Sequence, residues 1–298
     1  MPSIRCIVAA TDFSEFSERA VRRAARIAQQ HNAQLHLLHV VRPLDLYPSL
    51  TLTPDEFGHS DQELQQAEQT RVEAMATALS AQFGIRVLPV TRLGRAHTEI
   101  AGYAQEVAAD LVAAGSRGES TLMDLFLGST ASRLLRVATR PVLIVKKPAD
   151  EPYRKVLAAV DFSPVSAAVL GHAFGLADGA RVEMLHVLGS EVEERLRKAK
   201  FVRVDLTDWL ARQRADAEKQ LGALLAPVET GTPVGRLVQP GFPPAVICQC
   251  IEDGQVDLVV LGRHGYGGGL QDWLLGSVSK DVAFAATCDV LLIGTGGQ

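Results

Sequence analysis

One pattern occurs twice along this chain, and that repetition restricts its fold more than any other feature. "IRCIVAATDFSEFSERAVRRAARIA" near the start reappears as "YRKVLAAVDFSPVSAAVLGHAFGLA" from Tyr153, and "AQLHLLHVV" reappears as "ARVEMLHVL". "ADLVAAGSRG" returns as "VDLVVLGRHG", and "RPVLIVKKP" as "CDVLLIGTG", in the same order and at an offset near one half-length. Such self-similarity marks a tandem duplication, and 298 residues suit two domains at about 100 to 200 residues each. Pro148 and Pro152 bracket the polar connector "KKPADEPYR". The expected domains are therefore 1–149 and 150–298.

Each half alternates strand and helix signals. A β-rich run (Ile4 to Ala10; Val156 to Val160) ends in Asp-Phe-Ser, placing Ser14 and Ser163 where a helix N-cap belongs, with Pro164 at the first helical position. An amphipathic helix follows, then a strand at Gln34 to Val41 or Arg181 to Leu188. In the first half a second helix is expected from the stripe Leu64, Val72, Met75 and Leu79. A strand at Arg86 to Thr91, a helix from about His97 to Ala108, a strand at Leu111 to Ala114, a glycine region, another helix and a strand at Val142 to Val145 complete the unit. Alternation of this kind predicts an α/β fold with right-handed crossovers: two tandem five-stranded doubly wound parallel sheets. Ligands of such sheets lie beyond the carboxyl ends of the strands at the switch point. Asp12, Val41 and Gly115, and Asp161, Leu188 and Gly262, end the strands that converge there.

"GSRGESTLMDLFLGST", Gly115 to Thr130, sits between a strand and a helix and reads G-x2-G-x9-G-[ST]. Glycine permits positive φ and close backbone approach, and a helix start offers unpaired N–H groups to an anion. The expected ligand is a phosphate tail, held by a nest around Gly115 and Gly118 and by the helix start at Gly128, Ser129 and Thr130. No G-x4-G-K-[ST] occurs, so the chain lies outside the P-loop class. In the second half ten residues instead of nine separate Gly265 from Gly276, and Gly267 to Gly269 are placed to absorb the extra one.

On these residues the chain resembles a tandem universal stress protein. The strand-Asp-x-Ser opening, the "LLHVV" strand, the glycine signature and the terminal "PVLIV" strand carry the resemblance, each duplicated in some form. It implies a Rossmann-like fold akin to the adenine-nucleotide alpha hydrolases, binding ATP, alone or with Mg2+, with adenine near Asp12 and the end of the second strand and the triphosphate on the glycine loop. The nucleotide-binding set it implies is Ala10, Thr11, Asp12, Val41, Gly115, Arg117, Gly118, Gly128, Ser129 and Thr130. Its second-half counterparts are Asp161, Val187, Gly262, His264, Gly265, Gly276, Ser277 and Val278. Also implied are domains paired through their last edge strands, between the halves or between chains as a homodimer, an unidentified protein partner, and a nucleotide-dependent role in stress response, while the four sparse cysteines make a reduced, cytoplasmic location the default expectation.

Other readings compete. Asp12 and Asp161 could simply cap helices, and Arg117 and His264 could face solvent or phosphate. His39 and His186 are expected to be buried structural histidines. Arg133 and Lys280, one turn past the glycine-hydroxyl steps, read as surface cations. A slow ATP hydrolase would need a base and metal-binding carboxylates, for which Asp12 and Asp124 are the nominees; a scaffold retaining only the fold is the third class. Net charge of −4 with interleaved basic residues argues against nucleic acid, and no apolar run suggests a membrane span. Four cysteines, with Cys248 and Cys250 pointing to different helix faces, give neither a disulfide framework nor a zinc pattern. The segment Arg42–Asp61 reads as a long βα connection, either a lid on the crevice or a surface loop with no ligand role, and Glu191–Val204 as a mixed-charge helix with a solvated face.

Overall fold

The computed structural model describes residues 3–44, 54–118, 127–148, 151–189, 206–228, 234–265 and 275–294. Two compact units, Ser3–Pro152 and Tyr153–Thr295, divide the chain. In the first, β1 (Cys6–Thr11), β2 (Gln34–Val41), β3 (Val87–Leu93), β4 (Leu111–Gly115) and β5 (Val142–Val145) alternate with α1 (Glu15–His31), α2 (Pro54–Phe83), α3 (Ala96–Glu106) and α4 (Ser129–Val137). All pairings are parallel, in the order β3-β2-β1-β4-β5. The connections run outward in one direction from β1 to β3 and in the other through β4 to β5. The switch point therefore lies between β1 and β4.

The second unit repeats the plan. It contains β6 (Lys155–Ala159), α5 (Ser166–Ala177), β7 (Arg181–Gly189), α6 (Leu206–Leu225), β8 (Gly235–Gly241), α7 (Pro243–Gly254), β9 (Leu258–Gly262), α8 (Ser277–Ala285) and β10 (Asp289–Ile293). Its parallel order is β8-β7-β6-β9-β10.

The inner strands form because they are short aliphatic runs buried on both faces, as parallel sheets covered by helices require, whereas the edge strands β3 and β8 are mostly half-buried or exposed. Ile7 stands opposite Leu35 on one side and Leu111 on the other, and all three are fully buried. Each such side chain contributes about 1.5–3 kcal/mol by leaving water. α1 lies close against this sheet because the residues it buries include Ala20, Ala24, Ala25 and Ala28. Asn32, left-handed at φ 52°, ends it, and its own amide bonds back to Ala28 and Gln29.

Three local expectations are corrected. α2 begins at Pro54, inside the segment read as a connection, and buries Val72, Ala76, Leu79 and Phe83, whereas Leu64 is 39% exposed. The packed stripe follows the i, i+4, i+7, i+11 face, and Leu64 is off its N-terminal end. Ser163 is not an N-cap: the Ser166 amide bonds the Ser163 carbonyl at 2.9 Å, not its hydroxyl, and α5 starts after a turn through Pro164 and Val165. The six signature glycines do not adopt positive φ, which among the glycines of the described residues is confined to Gly84, Gly94, Gly179 and Gly241. Glu191–Val204 and Gly267–Gly269 lie outside the described residues.

Candidate functional site

A cavity of about 260 Å³ opens at the first unit's switch point. β1 supplies Ala10 and Thr11, and Asp12 follows at its carboxyl end; β4 ends in Ala114 and Gly115, followed by Arg117 and Gly118. Gly128, Ser129, Thr130 and Ala131 close the third side at the start of α4. Leu38 and Val40 of β2, Ala96 and Ile100 of α3, and Ser17 complete the lining. Strand alternation accounts for Val40 where Val41 was expected: Leu38 and Val40 share a face, and Val41 is buried on the other. Ala96 and Ile100 are four apart, one helical face, a spacing legible in the sequence that the glycine signature drew attention away from.

Gly128 is the N-cap of α4 and has no side chain to satisfy the helix amides. Ser132 N–H donates to the Gly128 carbonyl at 2.9 Å, the first bond of the helix ladder, and among the described residues Ser129, Thr130 and Ala131 have no backbone acceptor one turn back. Those three residues line the cavity. The Gly128 amide, by contrast, donates to the Ser116 carbonyl at 2.7 Å and pins the two ends of the loop together. Bare edges are needed here for steric reasons. A Cβ on Gly118 would stand 2.7 Å from Asp12 Oδ2, one on Gly128 3.1 Å from Arg117 Cα, and one on Gly115 2.7 Å from the Phe16 carbonyl oxygen.

Asp12 is held from behind. Ser14 donates to its Oδ1 twice, from Oγ at 2.5 Å and from the backbone at 3.1 Å, leaving Oδ2 toward Gly118. Ser14 also caps α1, its Oγ accepting from Ser17 N–H at 3.3 Å. Phe13 sits at φ 62°, an unusual conformation for a bulky residue. Its ring lies 4.7 Å from that of His39 and 3.8 Å beneath the Arg71 guanidinium carbon. His39 Nδ1 is 2.8 Å from the Thr11 carbonyl, the bond of a structural histidine. Ser14→Ala is expected to lower stability by about 1 kcal/mol through loss of the cap and to free the Asp12 carboxylate; urea titration and ligand titration read the two effects separately.

Both halves match the model of the universal stress protein family, over residues 3–146 and 152–294. The chain belongs to the universal stress protein family. A universal stress protein of Mycolicibacterium smegmatis is 29% identical over 300 residues, covering 96% of each chain. One from Methanocaldococcus jannaschii is 30% identical over 145 residues, 49% of this chain and 84% of that one. The crystal structure of a universal stress protein from Archaeoglobus fulgidus shares the fold, with TM-score 0.70 at 21% identity over 98% of both chains.

In this universal stress protein the second unit keeps the frame and changes the lining. Asp161 again takes bonds from Ser163 Oγ at 2.5 Å and N–H at 3.1 Å, and His186 Nδ1 is 2.9 Å from the Val160 carbonyl. Burial lowers the pKa of His186, against smaller raising effects of the Val160 bond and of Asp161. Gly276 caps α8 and donates to the Arg263 carbonyl at 3.0 Å, and a Cβ on Gly265 would lie 3.0 Å from Asp161 Oδ2. Yet Val278 stands where the first unit has Thr130, the buried Arg263 where it has Ser116, and Ser279 where it has Ala131. Ser279 Oγ donates to the Gly262 carbonyl at 2.7 Å. Gly262 itself abuts Val165, and both ring nitrogens of His264 are buried without a partner among the described residues. Val187 corresponds in register to Val40, and Ser277 to Ser129. No helix among the described residues is long and apolar enough to cross a membrane.

Proposed function

We propose that the first unit binds ATP, alone or with Mg2+, and that occupancy governs a regulatory contact in a stress response. One observation carries this reading. The open amides at the start of α4, the hydroxyls of Ser129 and Thr130, and the bare edge of Gly118 face one cavity at the switch point, the arrangement a phosphate chain needs. Asp12, facing Gly118 across the same cavity, is the polar group available to the base or ribose. The bound ion, where present, would be held chiefly by the phosphates, with Ser129, Thr130 and Asp12 as the oxygen donors within the cavity. Homodimerisation and an unidentified protein partner belong to the same proposal and rest on the family pattern, and a cytoplasmic location rests on the sparse cysteines.

The second unit is proposed to stay empty of nucleotide, because Val278 removes a hydroxyl and Val165 crowds the strand end at Gly262. Native mass spectrometry of gently purified protein, followed by equilibrium titration, is expected to give one ATP per chain. Gly276→Ala should leave that number unchanged. Two equivalents would overturn the asymmetry, and none would overturn the assignment. Turnover under saturating Mg2+ separates a regulator from a slow hydrolase built on Asp12; Asp124 lies outside the described residues.

A further inference from the structure

The rim of the first unit's cavity carries positive charge that the nucleotide reading above does not use. α3 and α4 both present their N-terminal turns to the cavity, through Ala96 and Ile100 on one side and Ser129, Thr130 and Ala131 on the other. Arg95 is the N-cap residue of α3, and His97 lies three residues before Ile100 and so on its face. Arg133 lies one turn beyond Ser129 and Thr130, and side chains on a helix lean back toward its N-terminus, here toward the cavity. Among the described residues no carboxylate pairs with Arg95, His97 or Arg133. Glu99, the acid in the first turn of α3, is folded against Gly94, where a Cβ would meet its Oε1 at 2.8 Å.

The duplicated unit provides an internal control. At the positions of Arg95, His97 and Arg133 it has Phe242, Pro244 and Asp281. Phe242 is the N-cap of α7, 61% exposed, and Gly241 at φ 140° precedes it as Gly94 at φ 151° precedes Arg95. The backbone frame is thus retained while these three positions carry no cation; Lys280, one residue before Asp281, lies 3.9 Å from its carboxylate. Folding does not require cations at these positions.

We propose that Arg95, His97 and Arg133 form a specificity rim that selects nucleotides with an extended polyphosphate, ATP over AMP. The proposal rests on nucleotide binding in the first unit. A monophosphate is satisfied by the α4 amides and the glycine loop, whereas the outer phosphates project past the helix start, where the rim cations stand. Desolvation by burial, then Arg133, then Arg95, hold His97 below the ordinary histidine pKa. These arginines, on α4 and at the start of α3, are the charged groups that act on it. A polyphosphate placed between them reverses their effect and raises the His97 pKa, so binding takes up a proton. The added affinity is complete below the free-state pKa and is lost as pH rises through the bound-state pKa.

The test compares ATP and AMP titrations by calorimetry for the full chain and for R95Q/R133Q and H97Q. The double variant is expected to lose about tenfold in ATP affinity, roughly what two partly screened charge contacts supply, with AMP affinity and thermal midpoint unchanged. H97Q should flatten the difference between ATP and AMP affinities over a pH range that begins well below the ordinary histidine pKa of about 6.5 and ends above it; nucleotide ionisation is common to both proteins and cancels in the comparison. An unchanged ATP-to-AMP ratio in the double variant overturns the rim while leaving nucleotide binding intact. Absence of any nucleotide binding by the parent protein would sink the underlying reading instead.

Discussion

Gly118→Ala is expected to bind ATP about tenfold or more weakly than the parent protein and to keep its urea midpoint. The added methyl would lie 2.7 Å from Asp12 Oδ2, closer than any relaxed carbon–oxygen contact. The obstacle is the tip of an exposed side chain, not backbone, so the fold survives by turning the carboxylate aside. That rotation gives up the two bonds from Ser14 to Oδ1 and moves the acid away from the cavity. The methyl itself occupies the edge along which a phosphate would approach the loop. Both effects act on the ligand and neither on the buried core. Gly265→Ala meets Asp161 Oδ2 at 3.0 Å in the second unit and serves as the matched control, with ATP affinity expected to stay within twofold, about 0.4 kcal/mol. Isothermal titration on both variants is decisive: unchanged affinity in Gly118→Ala would remove this loop from the site.

The duplicated order of strands and helices was readable because parallel strands buried on both faces must be continuous aliphatic runs, and each of the two halves repeats them. β5 was located to the residue, since "VLIV" is bounded by polar and proline positions. Convergence of Asp12 and Gly115 followed from topology, because strand ends of a doubly wound sheet face one side, and Gly118 and Gly128 to Thr130 were added by the glycine signature at the next helix start. What escaped reading depends on interactions between segments distant in sequence. Val40 rather than Val41 lines the cavity because register against β1 decides the face, and "HVV" does not encode register. Phe13 adopts φ 62° with its ring between His39 and Arg71, a conformation stabilised by two other elements and invisible in the tripeptide Asp-Phe-Ser. The signature glycines were read partly as positive-φ positions, but the structure uses their missing Cβ. Sequence shows that a glycine stands at a site; only the neighbours show which of its two properties matters.

Gly115→Ala separates those two properties most sharply and is expected to cost about 3 kcal/mol, the upper range for overpacking a tight contact. Its Cβ would stand 2.7 Å from the Phe16 carbonyl oxygen, 2.8 Å from the carbonyl carbon and 3.0 Å from the Ser17 nitrogen. All three are backbone atoms of the first turn of α1, so no rotamer change relieves the clash and the helix must lift from the end of β4. Lifting it disturbs the buried face of Ala20, Ala24 and Ala28 and the Thr11–Ser17 hydroxyl contact of 3.2 Å. For a unit of this size the midpoint should fall by roughly 6–12 °C. Gly84→Ala provides the contrast: at φ 64° with nothing within 4 Å of the new methyl, it bears conformational strain alone, about 1–2 kcal/mol. Differential scanning calorimetry should therefore rank Gly115→Ala well below Gly84→Ala in stability. The reverse order would mean that α1 yields easily at its N-terminus, and that the wall between β1 and β4 is softer than its close-packed alanines imply.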